Sequence, residues 1–118
     1  MLNIGQARIY LYRGATDMRK SFDGLHSLVC THFPEAELSG SLFVFMNRRQ
    51  THLKALYWDE DGFALWCKRL QKGCFRSLPG ESPIITRREL NMLLEGLVPK
   101  RMNKRFFMPL KTGTSCLL

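Results

Sequence analysis

Arg48-Arg49, Lys54, Lys68-Arg69, Lys72 and Arg76 gather cations of one kind into the stretch 48–76. Arginine offers a planar fork of donors that fits phosphate oxygens, and lysine offers a mobile point charge. Contacts of this type position a protein on DNA without reading its bases. The alternative use is solvated loops that keep a domain soluble. Arg19-Lys20 adds a second basic pair upstream, and Lys100, Arg101, Lys104 and Arg105 add a third group downstream. Together these residues form the candidate DNA-binding set.

Other chemistries lack their residues. Asp59-Glu60-Asp61 is the one acidic cluster, and its three acids sit consecutively. A two-metal nuclease needs carboxylates converging from separate elements, so this run reads as a turn. His26, His32 and His52 form no readable base–nucleophile pair. Cys30, Cys67, Cys74 and Cys116 include no CxxC spacing, and no His-x3–5-His pair accompanies them. They read as reduced thiols rather than zinc ligands, and no metal or cofactor is expected. Lys111-Thr112-Gly113-Thr114 lacks the glycine spacing of a phosphate-cradling loop. No catalytic residue is assigned.

The charge balance supports an anionic partner. The 118 residues carry a formal +8 with a pI near 9.7. Residues 1–61 hold seven basic and seven acidic side chains, whereas residues 62–118 hold eleven basic and three acidic. A segregated excess implies a basic face or arm. No apolar run reaches the roughly 20 residues that span a bilayer. The N-terminal segment lacks the basic flank of a signal peptide. The expected setting is the cytoplasm, with no membrane partner.

The elements that must position these residues follow from the pattern. Residues 8–13 alternate and predict a strand. Met18, Phe22, Leu25 and Val29 recur at helical spacing, which predicts a helix near 17–32 capped by Thr16 or Asp17. Leu42 to Met46 is near-continuously apolar, as in a strand buried on both faces. Residues 53–58 and 63–68 predict two more strands around an acidic turn, with Gly62 free to take a positive φ. Residues 74–78 predict a further strand. Thr86-Arg87-Arg88-Glu89 is a capping box, and Leu90, Leu93, Leu94 and Leu97 extend a helix over 86–97. The expected fold is α+β: one domain over 1–97, with a mainly antiparallel sheet of four to five strands packed with two helices. Residues 98–118 read as a basic C-terminal arm. In a pure meander, loops alternate between the two ends of the sheet, so the basic clusters need not share a face. Of the neighbours Tyr57 and Trp58, which must face opposite ways, Tyr57 is expected to be the exposed one.

Five motifs in one order resemble a known family. They are Asp17-Met18-Arg19-Lys20 with Phe22 and Gly24-Leu25; Gly40 with Leu42-Phe43-Val44-Phe45 and Asn47-Arg48-Arg49; Leu53-Lys54 with Leu56-Tyr57-Trp58-Asp59 and Gly62-Phe63; Lys68-Arg69-Leu70 with Gly73 and Phe75; and Leu90 with Leu93-Leu94-Glu95-Gly96. Over residues 7–97 the chain resembles the accessory protein, the second-frame protein or TnpB, of bacterial insertion sequence 66 elements. That family is unrelated to the RNA-guided nuclease sharing the label. The resemblance implies a non-catalytic helper in transposition whose partners are DNA, the transposase and the element's other small protein. It leaves two modes of action: DNA contact through the basic loops, or docking on the transposase without DNA. Met46 departs from the basic or polar residue common at its position, and the tail after Gly96 departs from the family's usual ending.

Overall fold

In the computed structural model, residues 6–95 are described. The elements in chain order are β1 (Arg8–Ala15), α1 (Phe22–His32), β2 (Ser41–Met46), β3 (His52–Asp59), β4 (Gly62–Arg69), β5 (Ile84–Ile85) and α2 (Arg87–Leu94). The strands form one sheet in the order β4-β3-β2-β1-β5. The fold is α+β, as the sequence leads one to expect. The expected arm at 98–118, with Lys100, Arg101, Lys104 and Arg105, lies outside the described residues.

The sheet is mixed rather than a pure meander. β1 and β2 pair in parallel, with Ile9 opposite Leu42 and Leu11 opposite Val44. Parallel neighbours need a crossover, and α1 supplies it. The β2–β3, β3–β4 and β1–β5 pairs are antiparallel.

Two apolar layers hold the sheet between them. On one face, Leu25, Val29 and Phe33 from α1 and its C-terminal cap pack on Phe43, Phe45 and Leu56. On the other, Leu90 and Leu93 of α2 pack with Phe75 and Leu78 on Ile9, Leu11, Leu42, Val44, Leu53 and Ala55. All six β2 residues are buried, so its apolar run serves both layers at once. Full burial of each such side chain stabilises by about 1.5–3 kcal/mol.

Four local expectations are corrected. The segment 74–78 is not a strand: Phe75 and Leu78 turn inward to fill the α2 layer, and the Phe75 amide donates to the Gln50 carbonyl at 2.7 Å. α1 begins at Phe22, not Asp17. Asp17 instead closes a turn, its Oδ1 accepting from the Arg19 amide at 2.9 Å and its carbonyl from the Lys20 amide at 3.0 Å. Met18 and Phe22 therefore leave the buried stripe, and Phe22 is 42% exposed. In the acidic turn the positive φ falls on Glu60 (59°), not on Gly62.

The α2 start is as expected. The Thr86 hydroxyl accepts from the Glu89 amide at 3.0 Å, and the Glu89 carboxylate accepts from the Thr86 amide at 2.9 Å. That reciprocal pair satisfies two backbone donors that a helix start leaves unmatched.

Candidate nucleic-acid interface

Strand direction decides where the basic loops lie. β3 runs against both β2 and β4, so β4 runs the same way as β2, and β1 is parallel to β2. Three strands therefore finish at one end of the sheet. The β1–α1 connection with Arg19-Lys20, the β2–β3 turn with Arg48-Arg49, and the end of β4 with Lys68-Arg69 all emerge there. His52 pairs with Arg69 in the ladder, which sets the β2–β3 turn directly beside the end of β4. Asp59-Glu60-Asp61 sits at the opposite end, in the β3–β4 turn. The sheet thus carries these three basic segments at one pole and Asp59-Glu60-Asp61 at the other, where exposed Arg8, Arg87 and Arg88 also lie.

The β2–β3 turn is tightly organised. The Gln50 amide donates to the Asn47 carbonyl at 3.0 Å, which leaves Arg48 and Arg49 as the two central residues. Asn47 Oδ1 accepts from the amides of Thr51 (2.9 Å) and His52 (3.0 Å), and its Nδ2 donates to Thr51 Oγ1 at 3.1 Å. Gln50 takes φ 61° to close the turn. Both arginine side chains are exposed. The chain after β4 is tied to the same turn. The Leu70 amide donates to the Thr51 carbonyl at 2.9 Å, and Ser77 Oγ donates to Gln50 Oε1 at 3.1 Å. Exposed Lys72 lies in this tied segment.

Two cations near this pole are held by neutral carbonyls. The Lys54 ammonium donates to the carbonyls of Met18 (2.9 Å) and Lys20 (2.8 Å). It pins the β1–α1 connection across the sheet end. Arg13, which the sequence pattern did not single out, donates to Leu78 (2.9 Å) and twice to Ser82 (3.0 and 3.2 Å). Its partners lie far along the chain, so no local spacing betrays it. A carbonyl satisfies a donor without cancelling its charge, so both residues still contribute positive potential.

Two other members of the candidate set are paired with acids. Arg19 forms a two-pronged bridge to Asp17, with its Nη2 at 2.7 Å from Oδ2 and its Nε at 3.0 Å from Oδ1. The Arg19 side-chain hydrogen bonds, followed by its amide, hold the Asp17 carboxyl well below the usual carboxylate range. The same partner raises Arg19. Arg76, half-buried, has its Nη1 3.8 Å from Glu95 Oε1. Between the end of β1 and the β2–β3 turn lies a groove of about 360 Å³, lined among others by Arg13, Gly14, Asn47, Arg48, Gln50 and Ser77.

The histidines have neighbours of their own. His26 meets the Phe63 ring (4.9 Å between centroids) and the Cys30 thiol (3.5 Å). His32 packs on Tyr12, and His52 Nδ1 lies 3.0 Å from Thr51 Oγ1. Cys30, Cys67 and Cys74 are free thiols. Among the described residues no group of three or more His, Cys, Asp or Glu side chains is placed to hold a metal ion. Among them, too, no helix is long and apolar enough to cross a membrane. Tyr57 and Trp58 are both half-buried on opposite faces, with the Trp58 indole donating to the Glu60 carbonyl at 3.1 Å.

The chain resembles known proteins over most of its length. A family model described as IS66 Orf2 like protein matches residues 7–104, past the boundary expected at 97. An uncharacterised protein of Sinorhizobium fredii, y4hO, is 35% identical over 116 residues, covering 96% of this chain and 100% of the relative. A second from the same organism, y4jC, is 29% identical over 109 residues, covering 91% of each. No solved structure matches the chain. With its five ordered motifs inside the matched span, this chain belongs to the IS66 Orf2-like family, whose role is accessory to transposition.

Proposed function

We propose that this protein is a non-catalytic, cytoplasmic helper of transposition that contacts DNA phosphates with the basic pole of its sheet. One observation carries the reading: Arg48-Arg49 and Lys68-Arg69 emerge side by side at one end, with the acidic turn at the other. Arg48 and Arg49 are exposed on a turn that Asn47 holds rigid, so little ordering opposes phosphate contact. Lys54 and Arg13 add charge from behind without being spent on carboxylates. Such a surface grips the backbone with little preference for sequence. The transposase and the element's other small protein are its protein partners in this reading.

The test is fluorescence anisotropy with a labelled duplex carrying an element end. Arg48→Ala/Arg49→Ala is expected to weaken binding, while Glu35→Ala/Glu37→Ala, exposed in the α1–β2 connection at the far end of the sheet, leaves it intact or slightly stronger. Equal affinity of the arginine variant and the parent overturns the assignment. Docking on the transposase without DNA predicts co-purification that survives nuclease treatment together with no duplex binding.

A further inference from the structure

The two edges of the sheet are built differently. On one side β5 contributes only Ile84 and Ile85, and the Leu11 amide next to it is taken by the Pro83 carbonyl at 2.7 Å. A short strand flanked by proline is a blunted edge. On the other side β4 is an eight-residue strand, paired with β3 residue for residue from Gly62 to Arg69 with no bulge. Its outer edge meets no strand among the described residues. Phe63, Ala64, Leu65, Trp66 and Cys67 carry neither charge nor proline. A long, regular, uncharged edge is a template for pairing with another strand.

Charge says which strand fits. β4 has Asp59-Glu60-Asp61 just before it and Lys68-Arg69 at its end. A strand with the same acidic-to-basic order, laid antiparallel along it, brings the acidic start of each strand beside the basic end of the other. A second copy of β4 is such a strand, because a two-fold axis reverses it. If Leu65 lies opposite its own copy, Asp61 falls opposite Arg69 at both ends of the pair. Directly opposed residues of an antiparallel pair point to the same side of the sheet, where opposite charges attract. A parallel pairing sets acid against acid and base against base, and is disfavoured.

We propose that two copies of this chain associate through their β4 edges, antiparallel, into one continuous sheet with two acidic-to-basic contacts across the seam. The partner is a second copy of this chain, and each copy uses the same surface. Each basic pole, with Arg48, Arg49 and Lys68, then projects at an opposite end of the joined sheet, and the seam takes up only its Arg69.

Sedimentation velocity on the full chain with two charge reversals tests this. The parent is expected to be a dimer that weakens with added salt. Asp59→Lys/Asp61→Lys alone, and Lys68→Glu/Arg69→Glu alone, each set like charges across the seam and raise the dimer dissociation constant about tenfold or more. Both reversals in one chain restore the dimer. An equimolar mixture of the two singly reversed chains forms a heterodimer, since one then has two basic ends and the other two acidic ends. All substituted side chains are exposed, and circular dichroism checks that each variant is folded. A monomeric parent at all concentrations, or a dimer indifferent to either reversal, overturns the proposal. So does failure of the mixture to pair while both variants remain folded.

Discussion

The Lys54 ammonium on β3 stands 2.8 Å from the backbone carbonyl of Lys20, with a second bond to Met18 at 2.9 Å. One lysine thereby anchors the connection that carries another. The contact spans more than thirty residues of sequence and fixes where Arg19 and Lys20 leave the sheet. Lys54→Met keeps most of the apolar stem and removes both bonds. Loss of charge-assisted bonds of this kind costs about 1.5–3 kcal/mol, read as a lower urea midpoint. An unchanged midpoint would show the clamp to be idle.

The Asp17–Arg19 pair predicts an acid-side dependence. The folded carboxyl of Asp17 is depressed below its usual range, first by hydrogen bonds from the Arg19 side chain. A depressed carboxylate contributes stability above its unfolded pKa and loses it as pH falls through the folded value. The turn should therefore keep its form through mildly acidic pH and loosen only in strong acid. Carbon-detected NMR should place the Asp17 midpoint below the usual carboxylate range, and Arg19→Ala should bring it back towards that range. A normal Asp17 midpoint in the parent contradicts the observed geometry.

Phe45 tests the layer that carries α1. It is fully buried in β2 between Leu25, Val29 and Phe33 on one side and the strand neighbours on the other. Phe45→Ala is expected to cost about 3–5 kcal/mol. Thr86→Ala, which removes only a helix cap, is expected to cost about 1 kcal/mol. Chemical denaturation of the two variants should preserve that order.

Features encoded by neighbours along the chain were legible in the sequence. The β2 run announced burial on both faces, and Thr86 with Glu89 announced the start of α2. Features set by distant partners were not. Nothing local distinguishes a strand that joins a meander from one that pairs in parallel, so β1 beside β2 was hidden. That one parallel pair sends Arg19-Lys20 to the same pole as Arg48-Arg49, where an all-antiparallel order from β1 onward would set them at opposite ends. Phe75 and Leu78 imitate a strand because both are apolar, yet they fill the core layer under α2 from a segment that joins no strand. Asp17 looked like a cap, and its carboxylate does accept from the Arg19 amide as a cap would, but the turn it opens closes at Lys20 and α1 starts only at Phe22. Arg13 gave no signal because its carbonyl partners lie beyond residue 77.

The central claim is that the basic pole neutralises phosphates. Its most direct measurement is the slope of log affinity against log salt for a duplex element end. Each phosphate contact contributes about −0.9 to that slope. Affinity should fall steeply with salt, and Arg48→Ala/Arg49→Ala should flatten the slope by about 2, roughly one per lost contact. Binding that ignores salt, or a slope the arginine variant leaves unchanged, contradicts the account.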